Sequence, residues 1–255
     1  MKKSTISVVL ATYNEEKNLP GCLESVKDFA DEIVIVDGTS TDRTVDIAKE
    51  YGAKVLVTQN HPIFHINKQK AIDMATKDWI LQLDADERLT PNLKQEISEC
   101  IQSENSKDGY WIPRKNWFLG RFLMKGGVYP DYTLRLYKRG KGRLPQKDVH
   151  EQAEVDGSID YLKEPLIHMA DPKFGRYLLR FNRYTDLIAS QLLEKNTPKN
   201  LLSMLKYELV LPLWWFGKIY IRHKGFMDGW QGLVWAFFSA IRFAVGFNKY
   251  LKLER

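Results

Sequence analysis

Short apolar runs that barely alternate recur through the first part of this chain, and each stops abruptly in a polar cluster. Ile6 to Thr12, Glu32 to Val36 and Trp79 to Leu83 are so rich in Val, Ile and Leu that a strand made from any of them must be covered on both faces. Strands of that kind belong to parallel sheets sandwiched between helices, which excludes most other architectures. The gaps fit this. A helix is predicted from Asn14 to about Lys27, with Asn14 as N-cap and acids in its first turn, and another from about Asp42 to Tyr51, stopped by Gly52. Lys54 to Thr58 reads as a further strand, Lys68 to Thr76 as a helix, and Thr90-Pro91 opens the next one. The fold class is therefore α/β, with a mostly parallel central sheet and flanking helices.

Ligands of such sheets lie beyond the carboxyl ends of the strands. Three of those ends carry polar clusters: Thr12-Tyr13-Asn14-Glu15, Asp37-Gly38-Thr39-Ser40, and Asp84-Ala85-Asp86-Glu87. If the extension of the last strand persists, Asp84 and Asp86 share a face, and two carboxylates there repel unless a cation sits between them. Hard oxygen ligands suit Mg or Mn. The alternative is a solvated acidic turn. Neither G-x-G-x-x-G after the first strand nor G-x-x-x-x-G-K-[ST] occurs, so phosphates are expected to be held through a metal.

At 255 residues and 44% hydrophobic composition the chain can bury one large domain with an appendage. The net charge of +6 resides in the tail, since from Lys199 onward there are nine basic and three acidic residues against 29 of each sign before it. A basic tail on a charge-balanced domain favours an anionic membrane surface and argues against nucleic acid. Cys22 and Cys100 lack metal-ligand spacing and read as core thiols of a reducing compartment. Met1-Lys2-Lys3 looks like a signal n-region, but the apolar run from Ile6 to Leu10 is too short for an h-region, so a cytoplasmic location is expected.

The three strand ends, Ala11-Thr12-Tyr13-Asn14-Glu15, Val36-Asp37-Gly38-Thr39-Ser40-Thr41-Asp42-Arg43-Thr44 and Leu83-Asp84-Ala85-Asp86-Glu87, resemble the motifs of the inverting family 2 glycosyltransferases of the GT-A fold. Further along, Asn116 to Arg121, Gly127 to Asp131, Leu134 to Tyr137, Val149-His150-Glu151 and Asn182-Arg183-Tyr184 resemble the lipopolysaccharide-core glucosyltransferase branch. The resemblance covers nearly the whole chain. It implies a metal-dependent transfer of a glucose-like hexose from a UDP-sugar to a hydroxyl of a cell-envelope glycan or glycolipid.

It also implies roles. Thr12, Asn14, Glu15, Asp37, Lys68, Asp84 and Ala85 would hold the nucleotide, with Asp37 accepting from the uracil ring and Lys68 over the diphosphate, although Gln69 stands where the family usually has Asn and Lys70 is a substitute for Lys68. Asp86 would ligate the metal, with Asp84 near the ribose or bridging through water and His168 as a late third ligand. The base that takes the acceptor proton is expected to be Glu151, with Asp131 and His150 as competitors. Arg121, Tyr129 and Arg135, within an aromatic and basic stretch from Asn105 to Asp148, are the expected acceptor contacts.

From Pro172 the pattern is helical, with Phe174, Tyr177, Leu178, Phe181, Tyr184, Leu187 and Ile188 forming one apolar stripe. The stretches Leu209 to Ile221 and Gly229 to Phe247 contain Lys218 and Arg242, so neither is a clean membrane span. Trp214, Trp215, Trp230 and Trp235 beside basic residues suit an interfacial helix pair on the inner face of the cell membrane; a lid or homodimer surface is the alternative. The expected division is 1–170 for the catalytic domain, split at 104 into nucleotide and acceptor halves, and 171–255 for a helical, membrane-associating region. The rival functions are a non-catalytic sugar-nucleotide or glycan-binding protein on this fold and a nucleotidyltransferase.

Overall fold

The computed structural model describes residues 3–61, 63–145 and 152–253. Its chain clusters into two compact units, one of Met1–Arg114 with Asp131–His168 and one of Lys115–Pro130 with Met169–Arg255.

The first unit is the expected α/β structure. Strands β1 (Ile6–Thr12), β2 (Glu32–Asp37), β3 (Lys54–Val57) and β4 (Trp79–Gln82) alternate with helices α1 (Leu19–Val26), α2 (Thr44–Glu50) and α3 (His65–Met74). Strands β5 (Glu87–Arg88), β6 (Gly109–Phe118), β7 (Arg121–Phe122), β8 (Asp131–Lys138), β9 (Gly142–Arg143), β10 (Glu154–Val155), β11 (Ile159–Tyr161) and β12 (Leu166–Asp171) follow, with α4 (Pro91–Gln102) after β5. The main sheet runs β3-β2-β1-β4-β8-β6-β12-β5. Its first four strands are parallel, with Ser7 opposite Glu32 and Ile6 opposite Trp79, and β8 joins β4 antiparallel with Ile80 opposite Tyr137.

Both faces of β1, β2 and β4 are buried, as the non-alternating runs require, whereas β3 at the sheet edge leaves Leu56 and Val57 exposed. Val8, Leu10, Ile33, Ile35 and Leu81 pack in one cluster with Leu19, Leu23, Ile47, Leu93 and Ile97 of the helices. Val9, Val34, Val36 and Ile80 pack in another with Ala71 and Ile72 of α3. The chain departs from β1 towards β2 on one side and reaches β4 on the other, so a crevice opens between the carboxyl ends of β1 and β4.

Local chemistry shifts several boundaries. The helix expected from Asn14 begins only at Leu19, with Pro20 in its first turn, because Asn14 adopts the left-handed conformation at φ 54° and caps no helix. α3 starts three residues earlier than expected, at His65. Gly52 stops α2 region as expected, at φ +71°. Cys22 is buried, and burial pushes its thiol up, in keeping with an inert core residue.

At the opposite end of the sheet from the crevice, Glu32 ties four elements together. Its carboxylate accepts from Ser7 Oγ (2.5 Å), Lys54 Nζ (2.6 Å), and the N–H (2.8 Å) and hydroxyl (2.9 Å) of Thr76. Burial opposes the charged form, but these donors outweigh it and bring the carboxyl from 4.5 down to about 2.

The second unit is helical apart from the end of β6, the short β7 and the last residues of β12. Helix α5 (Phe174–Glu194) precedes a continuous helix from 201 to 222, in which α6 (Leu201–Leu205) and α7 (Leu211–Phe216) are each followed by a π-helical turn, at Lys206–Val210 and Gly217–Arg222. A 3-10 turn at Gly225–Asp228 leads into α8 (Gly229–Lys252). The buried line of α5 runs through Tyr177, Thr185, Ala189 and Leu192, whereas Leu178, Tyr184 and Leu187 of the expected stripe are exposed. Small residues decide this: Gly246 of α8 lies against α5 so closely that a Cβ there would stand 2.5 Å from Ile188. The segment 115–130, assigned from sequence to the acceptor half, packs with these helices, since Phe118 and Leu123 cluster with Tyr177, Val234 and Trp235.

Because the Glu32 carboxyl is depressed on folding, its contribution is complete above pH 4.5 and is lost as pH falls towards about 2. Replacing Glu32 with Gln should lower stability at pH 7 by about 2 kcal/mol and leave a flatter acid limb in chemical denaturation between those pH values. An unchanged acid limb would show that Glu32 is not the tie described.

Candidate active site at the strand ends

Two loops form the β1 side of the crevice, and each supplies the other's hydrogen bonds. The N–H of Asn14 donates to Ser40 Oγ (2.8 Å), that of Glu15 to Thr44 Oγ1 (2.8 Å), and that of Glu16 to Asp42 Oδ2 (3.1 Å). In return the N–H of Thr41 donates to Asn14 Oδ1 (2.8 Å). Both loops hold a non-glycine residue in the left-handed region, Asn14 at φ 54° and Thr39 at φ 62°. Such conformations persist where the surroundings over-determine them, and they concentrate at ligand sites. Asp37 anchors the assembly: Thr12 Oγ1 (2.9 Å) and Ser40 Oγ (2.6 Å) donate to its Oδ2, and Ser40 N–H donates to its Oδ1 (2.7 Å). The side chain is fully buried. Asp37 thus bonds the backbone and hydroxyl of the turn that follows β2, and its Oδ1 accepts one hydrogen bond where a carboxylate oxygen can take two.

The β4 side departs from the expected geometry. The strand ends at Gln82, and Asp84 to Glu87 form a turn in which the Glu87 N–H donates to Asp84 O (2.9 Å) and the Asp84 N–H to Glu87 Oε2 (2.9 Å). The extension does not persist, so Asp84 and Asp86 do not share a face but part company. Asp84 meets Lys68 Nζ (2.5 Å) and Arg135 Nη2 (2.6 Å), whereas Asp86 Oδ2 faces His168 Nε2 at 3.6 Å. β12 brings His168 there, directly opposite Glu87 in the short β5–β12 ladder. Ala85 is buried within the turn.

Charges alternate from there through the interior. Arg135 also donates to Glu87 Oε1 (2.8 Å), Glu87 accepts from Arg114 Nη1 (3.3 Å), and Arg114 Nη2 pairs with Asp131 Oδ2 (2.7 Å). Glu87 is completely buried, which is tolerable only with cations on it. Burial by itself would raise the Asp84 carboxyl, but Arg135 and Lys68 outweigh it and hold it well below the usual carboxylate range. Burial likewise opposes the charge on Arg135, and Asp84 with Glu87 more than offsets it.

Phe64, His65, Lys68, Gln82, Asp84, Arg114 and Arg135 are among the residues lining a cavity of about 210 Å³. Two of its buried polar atoms, the acceptor Gln82 Oε1 and the donor Arg135 Nε, have no hydrogen-bond partner among the described residues. The three cations are balanced by Asp84, Glu87 and Asp131, so what the cavity offers a ligand is spare hydrogen-bonding capacity and oriented guanidinium and ammonium groups at its wall. Gln82, Glu87 and Arg114 are absent from the predicted site residues; a glutamine inside the otherwise apolar Trp79 to Leu83 is the one local signal that could have marked the first.

The remaining predicted residues lie as follows. Lys68 reaches the site from α3, while Lys70 Nζ turns to Thr58 Oγ1 (3.2 Å) and His61. Arg135, expected at the acceptor, is instead buried between Asp84 and Glu87. Arg121 and Tyr129 belong to the second unit, Arg121 Nη2 donating to Met227 O (3.2 Å) and Lys115 Nζ lying 6.0 Å from the Tyr129 ring. Asp131 is one-third exposed at the edge of the network. His150 and Glu151 lie outside the described residues. Among the described residues no three His, Cys, Asp or Glu side chains converge as a ready-made metal site. Asp86 with His168 offers two ligands, a number that suits a divalent cation completed by substrate phosphates and water.

Residues 7–150 match the family model of glycosyl transferase family 2. The lipopolysaccharide core biosynthesis glycosyltransferase LpsC of Rhizobium meliloti (strain 1021) is 29% identical over 94% of this chain and 92% of that protein. An uncharacterized glycosyltransferase, RT0209 of Rickettsia typhi (strain ATCC VR-144 / Wilmington), is also 29% identical, over 100% of this chain and 87% of its own length. Among solved structures, the mannosyltransferase PcManGT from Pyrobaculum calidifontis, in complex with GDP-Man and Mn2+, superposes with a TM-score of 0.54 at 13% identity, covering 99% of this chain and 88% of that one. S. aureus TarS does so with a TM-score of 0.50 at 19% identity over 87% and 45% of the two chains. These likenesses place the chain in the GT-A fold.

Removing Arg135 should expose the dependence of Glu87 on it. Arg135→Met is expected to destabilise the protein by about 3–5 kcal/mol, and adding Glu87→Gln to recover part of that loss, with a coupling above about 1 kcal/mol in urea unfolding. Strict additivity of the two changes would show that they do not act as a unit.

Proposed function

The chain belongs to glycosyl transferase family 2, and from that premise we propose that it moves a hexose from a UDP-sugar to a hydroxyl of a cell-envelope glycan or glycolipid, inverting the anomeric carbon. The observation that carries this reading is the juxtaposition, at the β1/β4 crevice, of the Lys68–Asp84–Arg135 cluster with the Asp86–His168 pair. The name of the Rhizobium relative supports a lipopolysaccharide core as the acceptor class.

Lys68 and Arg114 hold the diphosphate by charge, and the unpartnered Arg135 Nε and Gln82 Oε1 take up donor and acceptor groups of the nucleotide sugar. Thr12, Asn14 and Glu15 wall the base and ribose, and Asp37 keeps that wall in shape through Thr12 and Ser40. Asp86 and His168 hold a divalent cation, Mg or Mn, which when bound neutralises the charge that develops on the departing diphosphate. On the acceptor side Glu151 takes the proton of the attacking hydroxyl, with His150 and Asp131 as the alternatives; Asp131 already commits Oδ2 to two Arg114 nitrogens at 3.0 and 2.7 Å.

The second unit attaches the protein peripherally to the inner face of the cell membrane. Gly225–Lys252 is long and apolar enough to span a bilayer by length and composition, yet a third of its most apolar window is buried inside the protein. That burial favours a helix lying on the surface over one crossing it.

Two measurements test the catalytic assignment. In calorimetry with UDP, Asp86→Ala should lower affinity at least about tenfold when Mn is present and leave metal-free binding unchanged; equal affinities throughout would remove the cation from this position. Glu151→Gln should reduce UDP release from a donor and acceptor mixture by about 100-fold or more with little change in UDP affinity. If Asp131→Asn shows that profile and Glu151→Gln remains active, the base is Asp131.

A further inference from the structure

In the helix from 201 to 222, two columns of residues at four-residue spacing run side by side down α7 and the π-helical turn that follows. One is Leu213, Gly217 and Ile221; the other is Trp214, Lys218 and Arg222. Leu213, Trp214 and Ile221 are 65%, 56% and 67% exposed. Between the columns lies a groove of about 590 Å³ lined by Leu213, Trp214, Gly217, Lys218, Arg222 and His223.

Gly217 makes the groove. A Cβ built there meets nothing within 4 Å, so packing does not require a glycine, and the missing side chain leaves a notch in the apolar column. Lys218 is fixed rather than waving in solvent, because its ammonium sits 4.9 Å from the Trp214 ring and 4.5 Å from the Trp215 ring. His223 is held too: its carbonyl accepts from Gly126 N–H (2.9 Å), and its ring borders Gly127, whose Cβ would stand 3.7 Å away. π-helical turns concentrate at functional positions, and this one presents Lys218 and Arg222 beside a hydrophobic floor.

We propose that this groove seats the phosphate headgroup of an anionic phospholipid, with Lys218, Arg222 and His223 around the phosphate and Leu213, Trp214 and Ile221 entering the acyl boundary. The inference rests on the membrane reading above and adds to it a discrete headgroup site. Charge argues for this occupant over a second copy of the chain. A two-fold dimer through the patch would set the same cations against each other, whereas a lipid phosphate neutralises them. The groove volume also falls within the roughly 300–1,000 Å³ of small-ligand sites.

Vesicle co-sedimentation of the full chain tests it, with phosphatidylcholine alone and with added phosphatidylglycerol. The expected result is a preference for the anionic vesicles that Arg222→Ala lowers about tenfold, since the residue contributes a phosphate contact as well as diffuse charge. Lys195→Ala removes the same charge from the end of α5 and should lower the preference less. Gly217→Leu fills the notch without a clash at its Cβ and keeps every basic residue; it should keep or raise binding to neutral vesicles and lower the anionic preference about as much as Arg222→Ala does. Equal losses for Arg222→Ala and Lys195→Ala, or an intact preference in Gly217→Leu, overturn the headgroup site while leaving the membrane reading in place. No binding of the wild-type chain to either vesicle, or a lipid-independent dimer in ultracentrifugation that Gly217→Leu disrupts, overturns both.

Discussion

Arg135 lies between two carboxylates that could not otherwise coexist at the end of β4, and much of the first unit depends on that arrangement. A single guanidinium on β8 meets Asp84 from the turn after β4 and Glu87 from β5, while Lys68 of α3 and Arg114 of β6 close the chain of charges on either side. Each partner comes from a different element, so the electrostatic requirement is also a geometric one: the strands must hold this register for the buried Glu87 to be matched. The site is thereby charged and rigid before any ligand arrives. A polyanion entering it finds cations already oriented by carboxylates, which lowers the reorganisation that binding would otherwise demand.

The parallel half of this fold is legible in the sequence because burial on both faces leaves a strong imprint on composition, and β1, β2 and β4 fall where their apolar runs do, with the exposed edge strand β3 found from its β-branched residues. The site is legible only in part. That Asp84 and Asp86 matter follows from their place after a buried strand, but their relative orientation depends on whether extension survives past Gln82, and that is decided by the Asp84–Glu87 turn rather than by any periodicity. Asn14 has every attribute of a helix cap; its conformation is set by Ser40 and Thr41, residues of another loop that local pattern does not connect to it. Arg135 reads as an acceptor contact because its neighbours are aromatic and basic, and only the pairing of β8 with β4 reveals its carboxylate partners.

In the second unit the same limit appears differently. Helical periodicity announces the helices but not which large residues they bury, because α8 packs closely through small residues, Gly246 against Thr185 and Ile188 of α5 and Gly232 against the 225–228 turn. Large side chains of both helices go either way: Tyr177, Leu192, Phe247 and Tyr250 are buried, whereas Leu179, Leu233 and Phe237 are exposed, and no composition measure separates the two sets.

The mutual bonding of the two loops after β1 and β2 bears on how such proteins can diversify. Each loop carries donors that are satisfied only by the other, with Asn14, Ser40, Thr41, Asp42 and Thr44 all engaged across the gap. An exchange of one loop for that of a relative strands backbone amides on the loop left behind. Changes in these loops are therefore expected to travel as paired substitutions some 25 to 30 positions apart in the chain, the separation of the bonded residues. A lineage, or an engineer, that alters one loop at a time must pass through a less stable intermediate.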